Sequence, residues 1–274
     1  RSSPEMVGFV GSKTSILFCL TCLLSSSFVA SFHTGHHAPS RLLVRPSAVS
    51  PRSPIPVTSR RAHTSIKMAS GIDTLPLAMQ SAIFLGTMSG VTAGGLVLAG
   101  PVLDGAEKLL GKSTFNAWSK TFSLLSFIFL AAGVAHFTSA EAFNSIYPPP
   151  GTWGLWALPG SSEFHVAWTG VAEVLGGTGL LVGSLSELAP EGVRDNLRKL
   201  RKISAAALFL LVVCVSPANI YMWTHNIPLK GLGPPGDIPV NAHYARGALQ
   251  VVILGLLGRL ASQEEPGALK EEEA

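Results

Sequence analysis

An all-α bundle of membrane-spanning helices is the fold this sequence predicts, on three observations. Apolar residues make up 47% of the 274 residues and charged residues only 13%, against roughly 25% charged in a soluble domain; mean hydropathy is +0.39. The apolar residues fall in long uninterrupted runs, not in the short alternating runs of a membrane barrel strand. Glycines recur at spacing four inside two of these runs, a pattern that lets helix backbones approach closely.

The net charge of +4 is unevenly divided. Up to Met68 there are eight Lys/Arg and one acid, Glu5; from Ala69 onward there are twelve Lys/Arg and fifteen acids. The basic character belongs to the first part, and no nucleic-acid partner is expected from it. With Arg1 as the first residue, Met6 is the expected initiator. Residues 16–30 form a short apolar run after Lys13 that ends in small residues, the composition of a signal-peptide core. Val29 and Ser31 suit the positions before a cut at Phe32. From His33 to Gly71 no acid occurs, while Arg41, Arg45, Arg52, Arg60, Arg61 and Lys67 are scattered among Ser, Pro and Ala, the composition of a transit peptide. Residues 1–31 are therefore expected as a signal peptide and 32–68 as a disordered transit peptide, cut near 67–70. This arrangement resembles the bipartite leaders of algae with secondary, red-lineage plastids. A secretory signal followed by a disordered linker is the alternative. Cys19 and Cys22 fall in the signal core and leave with it, so Cys214 alone remains and supports neither a disulfide nor a thiol relay.

Five segments approach the roughly 20 apolar residues that a bilayer core requires. Segment A, 75–99, lies in the charge-free stretch between Asp73 and Asp104 and carries Gly86, Gly90 and Gly94. Segment B, 120–138, is uncharged inside. Segment C, 164–185, holds one acid, Glu173, and carries Gly179 and Gly183. Segment D, 203–223, has Pro217 near its end. Segment E, 244–260, opens with Arg246. Gly177 and Gly179 follow no strand, so they are not a dinucleotide loop. Residues 69–118 are thus expected as an extra membrane helix with a linker, 119–262 as a four-helix membrane domain and 263–274 as a disordered acidic tail.

Loop charges set the orientation. One side, here side one, has the A–B loop, the C–D loop and the C-terminus, with Lys108, Lys112, Lys120, Arg194, Arg198, Lys199, Arg201, Lys202, Arg259 and Lys270. Side two has only Lys230 and Arg246. Side one is expected to be the plastid stroma, and side two the thylakoid lumen or the space between the envelope membranes.

The histidines outside the leader, and with them Thr169, Glu173, Asn219, Arg246 and Gln250, all fall on side two or in its half of the bilayer. His136 ends segment B; His165, Thr169 and Glu173 share a stripe of segment C. Asn219 and His225 follow Pro217, and His243, Arg246 and Gln250 share a stripe of segment E. An ionisable residue inside a span is by default a functional hypothesis that needs a partner, and Arg246 is the partner expected for Glu173. Pro217 supplies no N–H, so the Val213 carbonyl is left for Asn219 or a ligand. Each residue also has a plainer reading: histidines at the headgroup level, a snorkelling Arg246, a protonated Glu173. The cluster of His136, Glu173, Asn219, Arg246 and Gln250 is expected as a ligand site or as structural glue. The B–C loop, with Phe143, Tyr147, Trp153 and Trp156 among prolines and glycines, is expected as an interfacial lid or as aromatic anchoring.

Four stretches, GVAHFTSAEAFNSIYPP, HVAWTGVAEVLGGTGLLVGS, VVCVSPANIYMWTHN and ARGALQVVILGLLGRLA, resemble the successive helices of the DoxX-like membrane proteins. The resemblance covers about residues 122–261 in order, most specifically in Pro-Ala-Asn-Ile-Tyr-Met and Ala-Glu-x-x-Gly-Gly. It implies a four-helix membrane bundle in which His136, Glu173, Pro217, Asn219, Arg246 and Gln250 are the matching positions. Segment A and the tail at 271–273 fall outside it. Founding members are named for a subunit of a thiosulfate:quinone oxidoreductase, so the resemblance implies an accessory or assembly subunit of a membrane complex, with a quinone as cofactor class, though the sequence itself requires no cofactor. No catalytic activity of its own is expected, because no nucleophile–base pair or cysteine pair is found. Expected partners are membrane lipid and other plastid membrane proteins. Two alternatives stand beside this reading. One is a metal or haem site built from His136, His165, His225 and His243, since imidazole suits zinc, copper and iron. The other is a small-solute carrier with Glu173 as its proton site.

Overall fold

A computed structural model of the chain describes residues 72–231 and 238–262. The expected leader, with Cys19 and Cys22, and the acidic tail at 263–274 lie outside the described residues. Among the described residues every regular element is helical. Five stretches are long and apolar enough to cross a membrane: Leu77–Leu110, Lys112–Thr138, Ser162–Leu188, Glu191–Thr224 and Val240–Ser262. The protein is thus a helical bundle of the multi-pass membrane type.

Helix α1, Leu77–Val97, follows Pro76, whose fixed φ suits a helix start and whose missing N–H costs nothing there. Gln80 folds back and its Nε2 donates to the Leu75 carbonyl at 2.9 Å. The helical path does not stop at residue 99 as expected. Pro101 cannot donate to the preceding turn, and the backbone widens into a π-helical turn over Leu98–Val102. Such a turn absorbs the misfit without ending the helix. The path continues as α2, Leu103–Leu110, until Gly111 breaks it at φ 79°. The expected linker is therefore largely helical: α2 is followed by α3, Lys112–Ser119, and a 3-10 turn, Lys120–Leu124. Then come α4, Leu125–Thr138, and the short α5, Ala140–Ser145.

Helix α6, Ser162–Ser184, is capped by Ser161, which accepts from the Phe164 N–H at 3.3 Å, and Glu163 in its first turn complements the helix dipole. Helix α7, Glu191–Thr224, has 34 residues, so the expected segment at 203–223 is only its second part. At 1.5 Å per residue it runs about 50 Å, well beyond the roughly 30 Å hydrocarbon core. The surplus turns carry Arg194, Arg198, Lys199, Arg201 and Lys202. What composition marks as a basic C–D loop is therefore a basic helical extension, with Arg198 reaching Glu187 at 3.5 Å. Helix α8, Val240–Ser262, completes the bundle.

Consecutive long helices pack on one another: α4 on α6, α6 on α7, and α7 on α8. Helix α1, first in the chain, packs on α8, the last. The shared core joins Phe122, Leu125 and Phe129 to Leu180, Leu208, Leu254 and Leu257, while Phe127, Leu175, Ile203 and Leu210 point outward, as lipid-facing residues do. The α1–α8 seam is backbone-close. A Cβ at Gly95 would stand 2.5 Å from the Leu254 Cβ, and one at Gly255 would stand 2.5 Å from Leu98. The glycine stripe of segment A is not this seam: Cβ atoms at Gly86 and Gly90 would meet nothing within 4 Å, and only Gly94 touches α8. Helix α1 and the π turn after it present a different face to α8, led by Gly95, Leu98 and Ala99. In α6, by contrast, Gly179 and Gly183 do face α7 closely, at Ser204 and the Arg201 backbone.

Candidate functional site: two polar groups and a cleft

The side-two polar residues assemble into two groups. In the first, between α7 and α8, the Arg246 Nη2 donates to Asn219 Oδ1 at 3.4 Å. Asn219 Nδ2 donates to Gln250 Oε1 at 3.3 Å. Gln250 Nε2 donates to Ser216 Oγ, which donates to the Val212 carbonyl at 2.8 Å. Each donor meets an acceptor in one direction, so both amide orientations and the Ser216 rotor are determined by the chain itself. Arg246 and Gln250, one turn apart on α8, face Ser216 and Asn219, which are three residues apart on α7. The expected contact of Asn219 with the Val213 carbonyl is not made, because its amide is turned toward Gln250.

The second group lies between α4 and α6. His136 Nδ1 stands 3.1 Å from Glu173 Oε2 and 2.9 Å from the Ala132 carbonyl. Two acceptors on one ring nitrogen require its proton to be on Nδ1. That proton aligns with the carbonyl, so Oε2, buried, keeps a close imidazole but no well-aligned hydrogen bond. Phe143 of α5 stacks on the His136 ring at 3.8 Å and closes the site from side two. The partner of Glu173 is therefore His136 and not Arg246 as expected. Helix α7 stands between the two: α6 packs on α4 and α7, whereas α8 packs on α7 and α1.

The other histidines disperse. His165 Nε2 stands 2.9 Å from the Pro159 carbonyl, while its Nδ1 faces Trp168 Nε1 at 3.2 Å. His225 bridges Thr224 Oγ1 at 2.8 Å and Asp73 at 2.9 Å. His243 meets Asn226 Oδ1 at 3.2 Å. Among the described residues no three His, Cys, Asp or Glu side chains converge as a metal site requires, and each imidazole is engaged elsewhere. His225 lies outside the spans, and burial holds its pKa below the usual 6.5 even though Asp73 pulls upward.

A cleft of about 360 Å³ opens between α1, α7 and α8. Arg246, Asn219 and Gln250 form its polar end, and Gly90, Val91 and Val251 line its apolar wall. Arg246 is about 9 Å along α8 from its start, at 1.5 Å per residue, so the polar end belongs to the side-two half. Among the described residues no carboxylate forms an ion pair with Arg246.

The B–C loop is neither a loose lid nor simple anchoring. Trp153, only 1% exposed, is wedged beneath α1: its ring stacks on Phe84 at 4.2 Å. Its indole N–H donates to Thr224 Oγ1 at 3.2 Å, and Ser81 Oγ donates to its carbonyl at 2.5 Å. Its backbone is left-handed, at φ 56°. Ser216 and Thr224 are the members that sequence reading passes over; the spacing of Ser216 to Asn219, matched to Arg246 and Gln250, is the one signal for the first. No protein-family model matches the chain, and no curated protein or solved structure matches it either.

Proposed function

We propose that the protein is a DoxX-like plastid membrane protein with a stromal C-terminus, acting as an accessory or assembly subunit of a membrane complex, quinone-linked by resemblance. The observation that supports this reading best is the one-way polar chain from Arg246 to Ser216 at the mouth of a cleft between α1 and the α7–α8 pair. Such a chain holds a donor rigidly toward an amphiphile entering from the lipid. Isolation of the native protein from plastid membranes, with mass spectrometry of associated proteins, tests the reading. A stable partner is expected, and a monomer that co-purifies with no other protein overturns it.

The His136–Glu173 pair favours a second reading, a proton-coupled carrier with Glu173 as the proton site. Vesicles with Glu173→Gln should then lose proton-coupled flux; unchanged flux removes this reading.

A further inference from the structure

The ligand of the α1–α7–α8 cleft can be narrowed from its charge and shape, an inference that rests on the accessory-subunit reading. Arg246 carries a full positive charge into the side-two half of a span, where a charged side chain costs at least ~2.5 kcal/mol by insertion scales. Its contact in the cleft is the neutral oxygen of Asn219, at 3.4 Å, and a guanidinium presents five N–H donors. The Asn219–Gln250–Ser216 chain occupies the amides with one another and leaves the outer guanidinium donors facing the cleft. Apart from Thr87 and His243 the rest of the lining is apolar or aromatic, with Val91, Ile220, Trp223 and Val251 among it, and the missing side chain at Gly90 leaves open space beside Arg246. A charged end continuous with an apolar trough suits one molecule having an oxyanion at one end and an acyl chain at the other. A guanidinium pairs with such oxyanions bidentately.

We propose that this cleft binds an anionic membrane lipid, its headgroup oxyanion on Arg246 and its acyl chain along the Gly90–Val251 wall. A neutral quinone would leave the guanidinium charge uncompensated, and a free inorganic anion would leave the apolar trough without a tenant. The test uses the full-length protein, purified with its native lipid and examined by native mass spectrometry. After delipidation it is placed in phosphatidylcholine nanodiscs doped with phosphatidylglycerol. One anionic lipid should stay bound to the wild type, with retention at least tenfold lower in both Arg246→Gln, which removes the charge, and Gly90→Leu, which fills the trough but spares the charge. Using two variants guards against one of them failing to fold.

Equal retention by Arg246→Gln overturns the proposal. So does displacement of the lipid by millimolar inorganic phosphate, which would make the site one for a free anion. Recovery of a quinone in place of lipid also overturns it, while leaving the accessory-subunit reading intact. That reading stands or falls separately on the co-purifying partner protein.

Discussion

Trp153 shows how strongly one side chain can outweigh its own backbone. The left-handed region costs an L-residue about 1–2 kcal/mol, whereas burying an indole of roughly 200 Å² is worth up to about 5 kcal/mol where the alternative is water. Burial prevails, and the indole N–H must then find a partner, which Thr224 supplies. Thr224→Val keeps the shape and removes that acceptor; it should cost about 1–3 kcal/mol, read as a lower thermal midpoint in detergent. His225, beside the same wedge, sets a pH response. Its folded pKa lies below the 6.5 of the free side chain because burial outweighs the pull of Asp73. Between the two values the unfolded chain holds more protons, so this stabilisation is complete above about pH 6.5 and declines as pH falls through the folded value. Thermal melts from pH 8 to pH 5 should record that decline, and His225→Gln should flatten it. At this scale the sequence revealed the chemistry of Glu173, Asn219, Arg246 and Gln250 but mispaired Glu173. Period and depth locate a residue on its own helix; they do not say which helix stands opposite. His136, at the end of α4, was visible as a candidate, but its contact with Glu173 depends on α4 and α6 being neighbours.

The starts of segments A and C were legible to within two residues, and that of segment D was not: the helices begin just after Pro76, Ser161 and Pro190, at Leu77, Ser162 and Glu191, against expected starts at 75, 164 and 203. Segment A was expected to end at residue 99, yet the backbone meets Pro101 with a π turn and stays helical to Leu110. Charge density misled in the same way over 191–202: Arg and Lys are good helix formers, and a helix can leave the bilayer without ending. The glycine stripe of α1 is the sharpest test of packing. Gly255→Val would drive a side chain into Leu98, which a Cβ alone already reaches at 2.5 Å, so it should cost about 1–3 kcal/mol and loosen α1 from α8. Gly86→Ala, by contrast, meets open space and should be neutral or stabilising by up to about 1 kcal/mol. Paired thermal melts of the two variants separate a contact glycine from a merely periodic one. An order opposite to this would show that the stripe, and not Gly95, is the seam.

For the whole molecule, the bias of basic residues predicts that side one is stromal. A protease-cleavable tag after Ala274 should be cut in intact plastid membranes only from the stromal face, and cutting from the other face alone would invert the topology. The class of fold, all helices with five membrane-length spans, was readable from composition and run length because lipid forces backbone hydrogen bonds to close within each span. The order of the helices around the bundle was not readable, since apolar surfaces are interchangeable partners until shape selects among them. That order has a temporal consequence. Helix α1 leaves the ribosome first, but its close-fitting neighbour α8 is made last, some 150 residues later. Until Gly255 arrives to receive Leu98, the leading span has no mate on that flank and must wait in the bilayer with Gly95 uncovered. A nascent chain halted after Thr224 should therefore let a cysteine placed at Gly95 react with a membrane-soluble maleimide, and release to full length should shut that reaction off.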